Sequence, residues 1–322
     1  MNIVLIYTIK EAESGRSIAA FLLDSGYSSR LVVHLRNTEG SFLLNGKTVF
    51  SNTVLQPKDQ LRVHVTEKKT SDQIVPVPMD LSVVFEDEHV LVIDKPAGMP
   101  VHPSAGNYEN TLANGIAWYF AEKGEDFVYR CINRLDRDTT GALILAKNPL
   151  SAAILSVQMK KRQIRRTYLA LVDGVPDVSG TIDAPIARME GSVITREVNY
   201  LTGETAITHY ERLATGTRYS LMELHLETGR THQIRVHMKY IGHPLPGDFL
   251  YNPDFRYIHR QALHSVRLSF THPFTGEVLD FSAPLPEDMA CLFPGQELPS
   301  FSRPGAGPVL PTASLSPWDN DF

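Results

Sequence analysis

Cysteine is scarce in this 322-residue chain, which has Cys131 and Cys291 and no others. Two are too few for a disulfide framework or a cysteine-built metal site, and they fit a reducing cytosol. No apolar run approaches the roughly 18 to 20 residues that span a bilayer, and the start, Met1-Asn2-Ile3-Val4-Leu5-Ile6, lacks the basic flank of a secretory signal. A globular, cytoplasmic protein with no membrane partner is therefore expected. Neither a Walker loop nor Gly-x-Gly-x-x-Gly occurs, so the sequence offers no cradle for a nucleotide cofactor. His225, His232, His237 and His243 have no acid near them at ligand spacing. His232 and His237 would also lie about 140 degrees apart around a helix, so no metal site is expected.

What is present is an uneven charge. The net charge of −5 argues on its face against a polyanionic partner. Residues 131–170, however, hold eight basic side chains against two acidic ones, while residues 286–322 hold five acidic against one basic. Local basic surface steers a polyanion, so the overall sign misleads. The densest patch is Lys160-Lys161-Arg162-Gln163-Ile164-Arg165-Arg166. Basic residues at a helix end complement its dipole, but five in seven exceed that need and point to phosphate.

The length and a 43% hydrophobic content suit one large domain and a small one. After the apolar leader, helical spacing over 15–23 and 31–36 is followed by a hairpin around Asn45-Gly46 and a strand over 59–65. Residues 71–80, with Pro76 and Pro78, read as a linker. Strands over 81–85 and 89–93 then deliver the loop Asp94-Lys95-Pro96-Ala97-Gly98-Met99-Pro100-Val101-His102-Pro103, where Lys95 and His102 would be exposed. A helix is expected over 111–123. Another, capped by Asn148-Pro149, should bury Leu150, Ile154 and Val157. Residues 167–172 form a strand with Tyr168, Ala170 and Val172 on one face. Residues 175–200 read as an irregular excursion. Two strands follow over 206–213 and 219–226, then a helix with Ile234, Met238 and Ile241 in line, its start at Arg230 and His232, and a last hairpin over 262–281. The tail from about residue 294 has the composition of disorder.

One stretch does not fit regular structure. Asn133-Arg134-Leu135-Asp136-Arg137-Asp138-Thr139-Thr140-Gly141 is too charged for a core strand and too rich in turn formers for a helix, so it reads as a loop opening onto a strand. It resembles the signature of the RluA-type pseudouridine synthases, usually His-Arg-Leu-Asp-Arg-x-Thr-Ser-Gly. Three other stretches agree in order and spacing. They are Asp94-Lys95-Pro96-Ala97-Gly98, Arg166-Thr167-Tyr168-Leu169-Ala170-Leu171-Val172-Asp173-Gly174, and Gly229-Arg230-Thr231-His232-Gln233-Ile234-Arg235-Val236-His237. The likeness covers roughly residues 81–288, within a catalytic domain expected over 81–293. Residues 1–70 are similar to an S-four RNA-binding module. Asn133 replaces the usual His and Thr140 the usual Ser, and neither exchange removes a group that must do chemistry.

The resemblance implies an α+β fold, a mixed, largely antiparallel bent sheet with flanking helices, preceded by a small α/β module. It implies a cofactor-free isomerase, acting as a monomer, that detaches a uracil from its ribose, turns it and rejoins it through carbon 5. The RNA would most often be that of the large ribosomal subunit, with transfer RNA as the other candidate. Breaking a glycosidic bond calls for a carboxylate at the sugar, and Asp136 is the candidate. By family correspondence Arg230 is its ion-pair partner, Tyr168 stacks on the uracil, and Ile234 lines the same pocket. Arg134, Arg137, Lys160, Lys161, Arg165, Arg166, His102 and His232 would contact RNA around a flipped nucleotide. Competing readings are a catalytically silent RNA-binding or assembly factor and, more remotely, a metal hydrolase built on the histidines.

Overall fold

The computed structural model describes residues 2–66, 74–296 and 298. Its first unit is a four-stranded antiparallel sheet with two helices on it. In chain order come β1 (Asn2–Thr8), α1 (Ile18–Asp24), α2 (Ser29–Arg36), β2 (Phe42–Leu44), β3 (Lys47–Thr48) and β4 (Gln60–Thr66), with strand order β1-β4-β2-β3. Ser17 and Ser28 cap the helices by accepting from Ala20 N–H and Leu31 N–H. Asn45 and Gly46 both take positive φ, the backbone that a two-residue hairpin turn requires. The apolar leader proves to be a strand, paired along the whole of β4. Its alternation is masked because Val4 and Ile6 on its outer face are exposed, while Leu5 and Tyr7 pack on the module's core. That core also takes in Leu150 of the main domain.

Residues 74–81 run without regular structure but are not loose. Asn114 donates to Val75 C=O and accepts, through its own C=O, from Val77 N–H.

The main domain contains β5 (Ser82–Glu86), β6 (Val90–Lys95), α3 (Leu112–Glu122), β7 (Thr140–Ala146), α4 (Pro149–Lys160), β8 (Arg165–Asp173), β9 (Ser179–Asp183), β10 (Ile186–Arg188), β11 (Arg196–Val198), β12 (Ile207–Thr215), β13 (Tyr219–Leu226), α5 (Gln233–Tyr240), β14 (Leu263–Thr271), β15 (Val278–Ser282) and α6 (Glu287–Ala290). The large sheet runs β5-β6-β7-β14-β8-β13-β12-β9, with β15 added to β14. All its pairings are antiparallel except β7 with β14. Strict alternation splits its side chains between two faces. Leu91, Ile93, Leu143, Leu145, Tyr168 and Ala170 pack with Ile116 of α3 and Met238 of α5. Val90, Val92, Ile144 and Phe270 pack with Leu155 of α4.

Two expectations need correction. Residues 175–200 hold three strands: β9 edges the large sheet and β10–β11 make a separate hairpin. Its prolines and glycine hide strands of three to five residues, too short for a legible period. The buried stripe of α4 is also turned from the one expected. Leu150 is buried, but Ser151, Leu155 and Gln158 join it, and Val157 is 44% exposed. Polar Gln158 can be inside because it exchanges two hydrogen bonds with the backbone of Thr271.

The parallel seam between β7 and β14 is two residues long, His264 opposite Thr140 and Ser265 opposite Gly141. At Gly141 φ is +107°, and a Cβ there would lie 2.3 Å from the Ser265 carbonyl oxygen. Only glycine lets the two halves of the sheet meet at this point. Gly141→Ala should therefore lower unfolding free energy by about 3 kcal/mol or more, against about 1 for an average substitution, in urea denaturation.

Candidate active site

The loop 131–139 enters the sheet at that seam and is fastened on both sides. Oδ1 of buried Asn133 accepts from Ile144 N–H at 2.9 Å. The Asp136 carbonyl accepts from Thr139 N–H at 3.1 Å, closing a turn with Arg137 and Asp138 at its corner. Lys95, expected to be exposed, is fully buried. Its ammonium donates to the carbonyls of Pro96 (2.7 Å), Met99 (2.9 Å) and Arg137 (2.8 Å), tying the loop after β6 to the turn. Burial pulls its pKa down to about 7, against the opposing pull of Asp138 and Asp136.

From the other side, Arg260 Nη1 donates to Asp138 C=O (3.3 Å) and Gln261 to the Thr139 hydroxyl (3.1 Å). Arg260 is itself held by a bidentate pair with Asp288. Burial pulls His264 down to about 4, so its ring is neutral. Nε2–H donates to Ala283 C=O, and Nδ1 accepts from the Thr140 hydroxyl at 2.8 Å.

Asp136 then projects its carboxylate with about a third of it exposed. Its counter-charge is not the one expected. Arg235 Nη1 lies 2.8 Å from Asp136 Oδ2, whereas Arg230 points away, pairing with Glu204 and donating to Thr205 C=O at 3.0 Å. The physical reason is the start of α5. His232 takes a left-handed backbone at φ 59°, so Arg230, two residues earlier, belongs to the incoming loop rather than to the helix face that meets the loop 131–139. Arg235, inside the first turn, is buried on that face.

Arg235 can be buried because Asp248 is buried with it, receiving two hydrogen bonds from its Nε (2.6 Å) and Nη2 (2.7 Å). Burial alone would lower the guanidinium's pKa, but the bonds and charge of Asp248, joined by Asp136, outweigh it and raise it. Asp248 follows Gly247, whose φ is +70° and whose Cβ would sit 2.1 Å from the Arg260 carbonyl oxygen, so one glycine brings the acid under the arginine. Arg235 and Asp248 were missed in the sequence. The only trace there is that Arg235 directly follows Ile234 in the expected helix.

In front of Asp136 lies a cleft of about 1370 Å³. It brings together His102, Arg134, Asp136, Arg137, Lys160, Arg165, Arg166, Arg230 and His232 of the expected set, and adds Arg162, His225 and Glu227. Lys161 is exposed outside this lining. Tyr168 and Ile234 do not line it either. They are buried in one apolar cluster with Leu135, the residue before Asp136. Of the other histidines, His237 is a buried structural residue, bonded to the Thr208 hydroxyl and Ala184 C=O. No group of His, Cys, Asp and Glu among the described residues is placed to hold a metal ion, and none of their helices is long and apolar enough to cross a membrane.

The sequence profile of a family described as RNA pseudouridylate synthase matches residues 89–240. An uncharacterized RNA pseudouridine synthase of Bacillus subtilis, YhcT, is 38% identical over 87% of this chain and 93% of its own. The chain belongs to the RluA-type RNA pseudouridine synthases. A ribosomal large subunit pseudouridine synthase D of Zymomonas mobilis is 45% identical over 68% of this chain and 73% of its own. The human RNA pseudouridylate synthase domain containing 1 has a similar structure, with a TM-score of 0.58, 28% identity, and coverage of 69% of this chain and 91% of its own. The protein is thus an RNA pseudouridine synthase, an isomerase acting on RNA.

Within that family pattern, Asn133 in place of histidine keeps the loop by its bond to Ile144, and Thr140 in place of serine keeps the hydroxyl that His264 accepts. The two arginines give a direct test of the site geometry. Arg235→Lys loses the planar fork that spans Asp136 and Asp248, and kcat for pseudouridine formation should fall roughly 100-fold. Arg230→Ala, which breaks the outer pair with Glu204 and the bond to Thr205 C=O, should stay within about tenfold of the parent enzyme. Single-turnover rates on unmodified RNA measure both.

Proposed function

We propose that this enzyme isomerises specific uridines of large-subunit ribosomal RNA, with Asp136 as the group that acts at the ribose. The observation that carries this reading is the environment of Asp136, a carboxylate held by a buried arginine and set in a wall of basic side chains. Arg235 engages Oδ2 and, among the described residues, no protein donor engages Oδ1. One oxygen therefore remains for C1′ of a ribose, either as nucleophile or as stabiliser of developing positive charge.

The base must leave its stack to reach this depth, and an unstacked nucleotide exposes its two flanking phosphates. Arg134, Arg137, Lys160, Arg165 and Arg166 line the cleft where those phosphates would run. Tyr168 and Ile234 back Leu135, which lines the cleft and supplies an apolar floor beneath the uracil. A detached uracil between that floor and a closed RNA strand is shielded from water, which favours rejoining over hydrolysis. No step requires a cofactor, and one copy of the chain carries every residue named. The first unit, in which nine basic residues face six acidic over positions 1–70, adds a second contact to the RNA.

The choice of ribosomal RNA rests on relatives named as ribosomal large subunit pseudouridine synthases. Asp136→Asn should abolish pseudouridine formation while RNA affinity stays within about twofold, because one carboxylate oxygen is exchanged for an amide nitrogen of similar size without altering the basic wall. Pseudouridine mapping of total RNA from cells with and without the protein should show the lost sites in large-subunit ribosomal RNA. Lost sites confined to transfer RNA would overturn the substrate, and turnover by the variant would overturn the role of Asp136.

A further inference from the structure

The hairpin β10–β11 lies outside the catalytic loop, yet one backbone group of it leads to Asp136. Arg196 N–H, at the start of β11, donates to Tyr251 Oη at 2.8 Å. Tyr251 Oη is 2.9 Å from His232 Nδ1, and His232 Nε2 is 3.8 Å from Asp136 Oδ2. Tyr251 is buried between these groups. Its ring packs edge-on to His232 and lies 5.0 Å from the Arg235 guanidinium carbon, and its apolar cluster includes Ile186 at the start of the hairpin and Val236 of α5.

Counting protons along this chain sets its direction. Tyr251 Oη accepts from the Arg196 amide, and its own proton has His232 Nδ1 as the acceptor in reach. A ring that accepts at Nδ1 carries its hydrogen on Nε2, the nitrogen facing Asp136. Arg235 and His232 both approach the same oxygen, Oδ2, which leaves Oδ1 for the sugar.

We infer that Tyr251 is a positioning residue: fixed by the hairpin, it holds His232 as a neutral ring with Nε2–H toward Asp136, so that the catalytic carboxylate presents Oδ1 to the ribose. This rests on Asp136 being the group that acts at the sugar. The charges facing the ring are Asp136 from the catalytic loop, Arg235 of α5, Asp248 after Gly247, and Arg196 of the hairpin. Burial lowers the His232 pKa in the same direction that Tyr251 works, since a donor at Nδ1 leaves no room for a second ring proton. A protonated ring would compete with Arg235 for Oδ2 of Asp136.

Without the hydroxyl, as in Tyr251→Phe, Nδ1 is free to protonate and the ring is free to turn. The kcat for pseudouridine formation should drop about tenfold with KM for RNA within about twofold, and the acid limb of the kcat–pH profile should move to higher pH. If Tyr251 acts through His232, the double variant Tyr251→Phe, His232→Gln should be no slower than His232→Gln alone. An unshifted pH profile, or independent losses that multiply in the double variant, would overturn the inference.

The unaltered protein gives a second reading should Tyr251→Phe fail to fold. Long-range proton–nitrogen correlation spectra at pH 7 should show His232 neutral with hydrogen on Nε2. A proton on Nδ1, or a charged ring, would overturn it equally. Asp136→Asn measured alongside separates the two levels. If that variant turns over, the role of Asp136 falls; if it is inactive and Tyr251→Phe behaves as the parent, only the role of Tyr251 falls.

Discussion

A guanidinium between two carboxylates holds this active site together. Arg235 is buried, and a buried cation without partners would be intolerable, so its three hydrogen bonds to Asp248 and Asp136 are a condition of the fold as well as of the chemistry. The two acids are not equivalent. Asp248 is fully buried and occupied by Arg235 and by two backbone N–H groups, from Leu250 and Tyr251. Asp136 is partly open and gives the arginine one oxygen. One end of the triad is therefore enclosed and the other is open to the cleft, and the same cation holds both.

That division requires the loop bearing Asp136 to stand still. It is gripped by Lys95 at the Arg137 carbonyl, by Arg260 at the Asp138 carbonyl, by Gln261 at the Thr139 hydroxyl and by His264 at the Thr140 hydroxyl. These groups come from both halves of the large sheet, β6 on one side and the approach to β14 on the other, which meet across two residues of parallel pairing. The site thus sits where the sheet changes partner, and Gly141 is the residue that allows the approach. Strength at this seam comes from side chains reaching across to backbone rather than from a long ladder of strand bonds.

The cleft resolves the contradiction between an acidic chain and a polyanionic substrate. Basic side chains from the catalytic loop, the end of α4 and the start of β8 face one space, so the local field is positive though the total charge is −5. Arg162 takes a left-handed backbone at the end of α4 and pairs with Glu227 across the cleft. That turn brings Lys160 at the end of α4 and Arg165 and Arg166 of β8 to one wall.

Much was legible in the sequence because it is local. The Asn148-Pro149 cap, the Asn45-Gly46 turn, the alternation around Tyr168 and the crowding of charge at 160–166 are set by neighbours in the chain, as is the loop character of 133–141. Family likeness then pointed to Asp136 as the candidate for the chemistry. What it could not supply was pairing across distance. Arg230 and Arg235 stand five positions apart in one motif, and nothing in their spacing says which will meet a carboxylate 99 residues away. The backbone turn at His232 and the approach allowed by Gly247 settle it, by placing Arg235 between two acids and sending Arg230 to Glu204. Burial of Lys95 follows the same rule. Its ammonium can go inside because the fold gathers three carbonyls around it, and that gathering exists in space and not in sequence.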